Sequence, residues 1–151
     1  NIGVIDMRVK DVAGAREAFT RAVTINNKNF DADRNLARLE LGENNYEGAG
    51  KLLQDALTAR PGDPEALGML SFTEFKTKQF DRALSDAEKV HLDGRDAFPI
   101  AHLVAASVRE SKGDLAGAQK QYEMYLKEAP DSPQAQVAKQ GLERIQAQAK
   151  N

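Results

Sequence analysis

The 151-residue chain contains no cysteine and no tryptophan, and aromatic residues make up only 6% of it. Without cysteine there is no disulfide framework, no thiolate zinc site and no cysteine nucleophile, although this absence suits reducing and oxidising compartments equally. Scarce aromatic residues count against a β-rich core, because strands favour aromatic and β-branched side chains. Ala, Leu, Glu, Gln, Lys and Arg are plentiful, and this composition predicts an all-α protein.

Neither sign of charge dominates, since 21 Lys and Arg face 23 Asp and Glu for a formal net charge of -2. No window holds a dense basic run of the kind that neutralises a phosphate backbone, so nucleic acid is not an expected partner. The longest apolar runs, such as Leu103 to Ala106, fall far short of the roughly 20 residues that cross a bilayer. We therefore expect no membrane insertion.

Alanine recurs along the chain at a nearly constant spacing of 34 or 35 residues. Residues three before, four after and seven after each alanine are mostly apolar, which places them on one face of a helix. Twelve residues before each alanine comes another small residue, which indicates a second helix that crosses the first closely. The repeating alanines are Ala15, Ala49, Ala83 and Ala118, and the earlier small residues are Gly3, Ala37, Ser71 and Ala106.

Turn chemistry joins the two predicted helices of each unit. Three residues in these turns can accept hydrogen bonds from the free N–H groups of the following helix, namely Asp11, Asn45 and Asp114. Gln79 occupies the equivalent place in the remaining turn and is the weakest capping residue of the four. The pattern predicts helices near residues 12–26, 30–42, 46–59, 64–77, 80–92, 97–111, 115–128 and 133–147. An extra residue between Leu92 and Asp96 predicts a longer connection with Gly94 in a left-handed conformation.

These columns resemble the tetratricopeptide repeat family, whose 34-residue pattern is Trp-x-x-Leu-Gly-x-x-Tyr, then Ala-x-x-x-Phe, then Pro. The match is strongest at Ala15-x-x-x-Phe19 and Ala118-x-x-x-Tyr122. It is weakest in the first helix at the Tyr column, which holds Asp6, Glu40, Glu74 and Arg109.

The resemblance implies a right-handed α-solenoid of helix-turn-helix repeats that ends in a capping helix. It divides the chain into a single array, with a partial first repeat (1–29), three further repeats (30–63, 64–98 and 99–132) and the capping helix (133–148). The C-terminal half also resembles bacterial members of the family, which favours a bacterial cytoplasmic or periplasmic protein.

In this family, the first helices of successive hairpins line a concave groove for a peptide. The resemblance therefore implies binding residues on these helices, namely Arg34, Arg38, Leu41, Phe72, Phe75 and Leu103. Arg34 and Arg38 can pair with a carboxylate or phosphate, and the two phenylalanines can offer an apolar contact. Two alternatives remain: the arginines form a solvated face paired with Asp31 or Glu65, or Phe72 or Phe75 only packs between neighbouring first helices.

The sequence contains no reactive constellation. The two histidines, His91 and His102, can start a metal site with Asp93 or Asp96, but no His-x-x-x-His spacing supports it, and a packing or capping role is favoured. Gly113-x-x-x-Gly117 lacks the Lys-Ser/Thr of a phosphate loop, and there is no nucleophile elbow. We therefore expect no catalysis, no metal and no cofactor.

Three functions remain at this point. The first is a protein interaction scaffold that binds a peptide or protein segment in the concave groove. The second is a structural, oligomerisation or spacer module of a longer protein, which self-associates through its truncated N-terminal repeat. The third is a non-catalytic appendage to an enzyme on the same chain.

Overall fold

The computed structural model describes residues 12–25, 29–90 and 98–149, and every regular element in these ranges is an α-helix. Consecutive helices pack as hairpins, α2 on α3, α4 on α5 and α6 on α7, and the hairpins stack in chain order. This arrangement confirms the predicted all-α helical-repeat solenoid, while the exact repeat boundaries stay a prediction. The helices are α1 (Val12–Ile25), α2 (Phe30–Gly42), α3 (Tyr46–Ala59), α4 (Pro64–Lys76), α5 (Phe80–Lys89), α6 (Ile100–Ser111), α7 (Leu115–Glu128) and α8 (Ala135–Gln148).

Side-chain caps explain where four of these helices begin. Each cap oxygen accepts a hydrogen bond from the backbone N–H three residues later, which satisfies one of the free donors of the first turn. Gln79 makes no such bond at the start of α5, and Pro64 occupies the first turn of α4, where its missing N–H removes no bond. The capping residues are Asn29, Asn45, Asp63 and Asp114.

Each of three hairpin turns contains one residue with a positive φ angle. These residues are Asn44 (62°), Lys78 (63°) and Gly113 (81°). Glycine adopts this conformation freely and asparagine tolerates it, whereas lysine carries some strain there. The turn geometry is therefore the same in each hairpin although the sequence differs. The left-handed conformation predicted for Gly94 and the cap predicted for Asp11 lie outside the described residues.

The small-residue columns lie where the helices of each hairpin cross. Ala37, Ser71 and Ala106 on the first helices are completely buried, as are the repeating alanines that face them, Ala49, Ala83 and Ala118. One core cluster extends from α2 to α6, and a second joins α6, α7 and α8. The period read from the sequence is therefore the period of the hydrophobic core.

The first helices lie closer together than the second helices. Helix α4 packs directly on α6 and α2 touches α4, whereas α3, α5 and α7 make at most slight contact with one another across the described ranges. Because elements on the inside of a curved stack approach each other most closely, α2, α4 and α6 line the concave face. None of the described helices is long and apolar enough to cross a membrane.

Two helix starts differ from the sequence-based prediction. Helix α6 begins at Ile100, because Pro99 supplies the residue before the first turn, where a missing N–H is tolerated. Helix α8 begins at Ala135, because residues 131–134 form turns.

Candidate binding groove

Two predicted binding residues, Arg34 and Arg38, lie side by side on α2 and reach across to Glu65 on α4. Arg34 Nη1 lies 3.1 Å from Glu65 Oε2, and Arg38 Nη2 pairs with Glu65 Oε1. Arg34 Nη2 also lies 3.6 Å from Asp31 Oδ1. The structure therefore brings the arginines together but pairs them with the carboxylates named as the alternative, and their contact with a ligand stays a prediction.

A third arginine, Arg60 at the C-terminal end of α3, adds positive charge beside the start of α2. The guanidinium carbons of Arg34 and Arg60 lie 5.0 Å and 4.1 Å from the centroid of the Phe30 ring. Arg60 Nη2 lies 3.7 Å from Asp31 Oδ2. In the described part of the chain, these three arginines thus share two carboxylates, those of Asp31 and Glu65, although the whole chain has a net charge of -2.

Three other predicted residues, Phe72, Phe75 and Leu103, line one pocket of about 180 Å³ on the same face. We call it the cap pocket, because α4 and α6 form two of its walls and the start of α8 forms the third. The sequence predicts α8 only as a capping helix, so its part in this wall was not expected. The remaining lining residues are Lys76, Ile100, Val104, Ser107, Gln134 and Val137.

The sixth predicted residue, Leu41, lies away from the cap pocket. Its side chain is 4% exposed and belongs to the main core cluster, so it has almost no surface to offer a ligand. Phe72 and Leu103 are also largely buried, at 9% and 7% exposure, and Phe72 packs edge-on against Tyr46. Phe72 on α4 therefore contacts α3 of the preceding hairpin, and only the edges of these side chains line the pocket.

A three-residue network holds α8 against α6 and α7. Glu110 accepts hydrogen bonds from Arg144 Nε at 2.8 Å, from Arg144 Nη2 at 2.9 Å and from the Tyr122 hydroxyl at 2.7 Å. The hydrogen bonds from Arg144 hold the pKa of the Glu110 carboxyl below its usual range, and burial raises the pKa of Tyr122. Glu110 and Arg144 are separated by 34 residues, one repeat length, and that spacing is the sequence signal that could have found the pair.

His102 is packed inside the array at 1% exposure. Its Nδ1 lies 2.7 Å from Gln121 Oε1, and its Nε2 lies 3.0 Å from Glu128 Oε1. Across residues 12–25, 29–90 and 98–149, no group of three His, Cys, Asp or Glu side chains could hold a metal ion. The other proposed ligands, His91, Asp93 and Asp96, lie outside these ranges.

Two wider depressions, of about 550 and 610 Å³, lie between α3 and α5 on the opposite side of α4. Glu74 lines one of them and is only 4% exposed. Burial, followed by the negative charge of Asp86, raises the pKa of Glu74 to about 7. The depression of about 610 Å³ is lined mainly by charged residues, which distinguishes it from the mainly apolar cap pocket.

A family model for the tetratricopeptide repeat matches residues 7–71 and 40–106. The two matches overlap and together run from residue 7 to residue 106, which is 100 of the 151 residues. No curated protein matches the chain.

Solved structures share the fold at low sequence identity. The first TPR of Spaghetti (RPAP3), bound to the HSP90 peptide SRMEEVD, has a TM-score of 0.70 and 19% identity over 81% of this chain and 94% of that chain. The Yersinia enterocolitica chaperone SycD, in complex with a peptide of the translocator YopD, has a TM-score of 0.68 and 20% identity. The match covers 79% of this chain and 93% of that chain. The Sgt2 TPR domain from Aspergillus fumigatus has a TM-score of 0.67 and 21% identity. The match covers 80% of this chain and 79% of that chain. These sources include a bacterium and a fungus, so the predicted bacterial origin stays a prediction.

Proposed function

The chain belongs to the tetratricopeptide repeat family, and on that basis we propose that it is a non-catalytic interaction scaffold that binds an extended segment of a partner protein. The binding surface is the concave face formed by α2, α4 and α6. Members of this family are typically interaction modules without catalytic activity.

The cap pocket is the observation that carries this proposal. An apolar concavity with a few polar residues in its lining is typical of a binding site, and Val137 in the pocket wall is 45% exposed. The pocket opens on the face where neighbouring first helices contact each other, so a ligand there could run along several repeats. An extended segment suits such a surface better than a small compact ligand does.

Two structurally similar proteins support binding of this kind. The RPAP3 repeat domain is bound to a peptide of HSP90, and SycD is in complex with a peptide of YopD. At about 20% identity these likenesses establish only the fold, so peptide binding is proposed for this chain on its own pocket. Self-association through the N-terminal repeat stays a prediction, because residues 1–11 lie outside the described ranges.

A matched pair of substitutions tests the binding face. The probes are 12-residue peptides enriched from a random phage-displayed library on the immobilised full chain, then synthesised with a fluorescent label. Ser107→Phe places a ring in the cap pocket, whereas Ser85→Phe places the same ring in a depression beside α5. We expect Ser107→Phe to weaken peptide binding by about tenfold or more, and Ser85→Phe to leave it unchanged.

Fluorescence polarisation gives the affinities, and thermal unfolding followed by circular dichroism shows whether each variant folds. Should Ser107→Phe fail to fold, Val137→Glu on the exposed pocket wall replaces it. The proposal is wrong if no peptide is enriched, or if Ser85→Phe rather than the cap-pocket variant abolishes binding.

A further inference from the structure

We propose that the cap pocket selects a partner segment in which one large apolar side chain lies beside an acidic residue. This inference rests on the proposed function and adds the chemistry of the partner. The apolar side chain enters between α4, α6 and α8, and the acidic side chain pairs with Lys76 where the pocket opens to solvent.

The size and lining of the pocket specify the apolar side chain. A cavity of about 150 Å³ lined by apolar residues holds a benzene molecule, and the cap pocket measures about 180 Å³. Leu103, Val104, Ile100 and Val137 supply aliphatic surface, and Phe72 and Phe75 supply ring edges. One side chain of the size of leucine, methionine or phenylalanine fits this space, whereas a charged side chain would lose its hydration there.

Lys76 specifies the acidic neighbour. Its ammonium lies 5.3 Å from the centroid of the Phe72 ring, so the charge is held beside the apolar lining. The side chain is exposed, and in the described part of the chain Lys76 forms no ion pair. An unpaired cation at the mouth of an apolar pocket favours a ligand carboxylate within reach.

The charge along the rest of the concave face points to the same ligand. At the α2 end, the ion pairs of Arg34, Arg38 and Arg60 within residues 12–25, 29–90 and 98–149 involve only the carboxylates of Asp31 and Glu65. At the α8 end, Arg144 neutralises Glu110. A segment that lies along this face therefore meets surplus positive charge at its α2 end and again at Lys76, which favours an acidic partner for a chain that is itself acidic overall.

Reversing the charge of Lys76 tests this selection directly. The random peptide library is panned in parallel on the unaltered chain, on Lys76→Glu and on Lys51→Glu, which makes the same change at an exposed lysine of α3 outside the pocket. On the unaltered chain and on Lys51→Glu, we expect enriched peptides to carry Asp or Glu within two positions of an apolar residue. On Lys76→Glu, we expect Lys or Arg at that position instead.

Synthetic peptides give the quantitative result. A peptide enriched on the unaltered chain should bind Lys76→Glu about fivefold more weakly, and its Glu→Lys counterpart should recover that loss on the variant. If Lys76→Glu selects the same peptides with the same affinity while Ser107→Phe still blocks them, the acidic selection is wrong and the groove proposal stands. If Ser107→Phe has no effect on the enriched peptides, both proposals are wrong.

Discussion

Replacing Gly141 with leucine is expected to detach α8 and to lower the free energy of unfolding by about 3 kcal/mol. Gly141 lies in α8 directly against the ring of Tyr122, and any side-chain carbon added there would overlap that ring. Tyr122 is 1% exposed, and its hydroxyl donates to Glu110. The ring therefore cannot move aside without breaking the network that holds α8.

Gln140→Leu provides the matched control, since it places the same side chain one residue earlier on the exposed face of α8. Its effect on the free energy of unfolding should stay within about 0.5 kcal/mol. Urea unfolding measures both variants, and hydrogen exchange of the α8 amides shows whether the loss is local. Equal stability of Gly141→Leu and Gln140→Leu would contradict the close packing of α8 on Tyr122.

Replacing Glu74 with glutamine is expected to stabilise the protein at pH 8 by up to about 3 kcal/mol and to have little effect at pH 4. Burial raises the pKa of Glu74 from 4.5 to about 7 in the folded chain. Between these two values the folded state binds a proton that the unfolded state releases, so the free energy of unfolding falls as pH rises through this window. Above about pH 7 the folded chain bears the full free-energy cost of burying the ionised Glu74 carboxylate. Glutamine removes this cost because its side chain stays neutral.

Glu143→Gln is the control, because Glu143 is an exposed carboxylate on α8. Urea unfolding between about pH 4 and pH 8 should show parallel profiles for Glu143→Gln and the unaltered chain. Other groups also titrate, since the pKa of Asp33 is raised by burial and that of Glu110 is lowered by Arg144. The difference in the free energy of unfolding between Glu74→Gln and the unaltered chain isolates the contribution of Glu74. If this difference did not change with pH, Glu74 would not ionise at a cost in the folded chain, and the prediction would be wrong.

Local sequence signals predicted the repeat architecture well. The spacing of Ala49, Ala83 and Ala118 gave the hairpin period, because those positions must be small where helices cross. Cap residues such as Asn45 and Asp114 marked helix starts, because their side chains bond to the backbone only three residues away. Both signals depend on contacts that lie close together in the chain.

Contacts between repeats were harder to predict, because they depend on how far each helix rotates. The same stripe of α2 that carries Arg34 and Arg38 also carries Leu41, yet the arginines are half-buried and Leu41 is in the core. Polar residues at core positions were missed for a similar reason. Asp33 is 1% exposed with neither carboxylate oxygen hydrogen-bonded, and nothing local in the sequence indicates that burial.

Chemical shifts of the methyl groups give the most direct test of the binding face. The isotope-labelled full chain is titrated with an enriched peptide, and the methyl signals of leucine and valine are followed by NMR. If the cap pocket binds the peptide, the largest shifts will belong to Leu103, Val104 and Val137. Shifts confined to Leu52, Leu57 and Leu84 on α3 and α5 would place the peptide on the second helices and contradict the account.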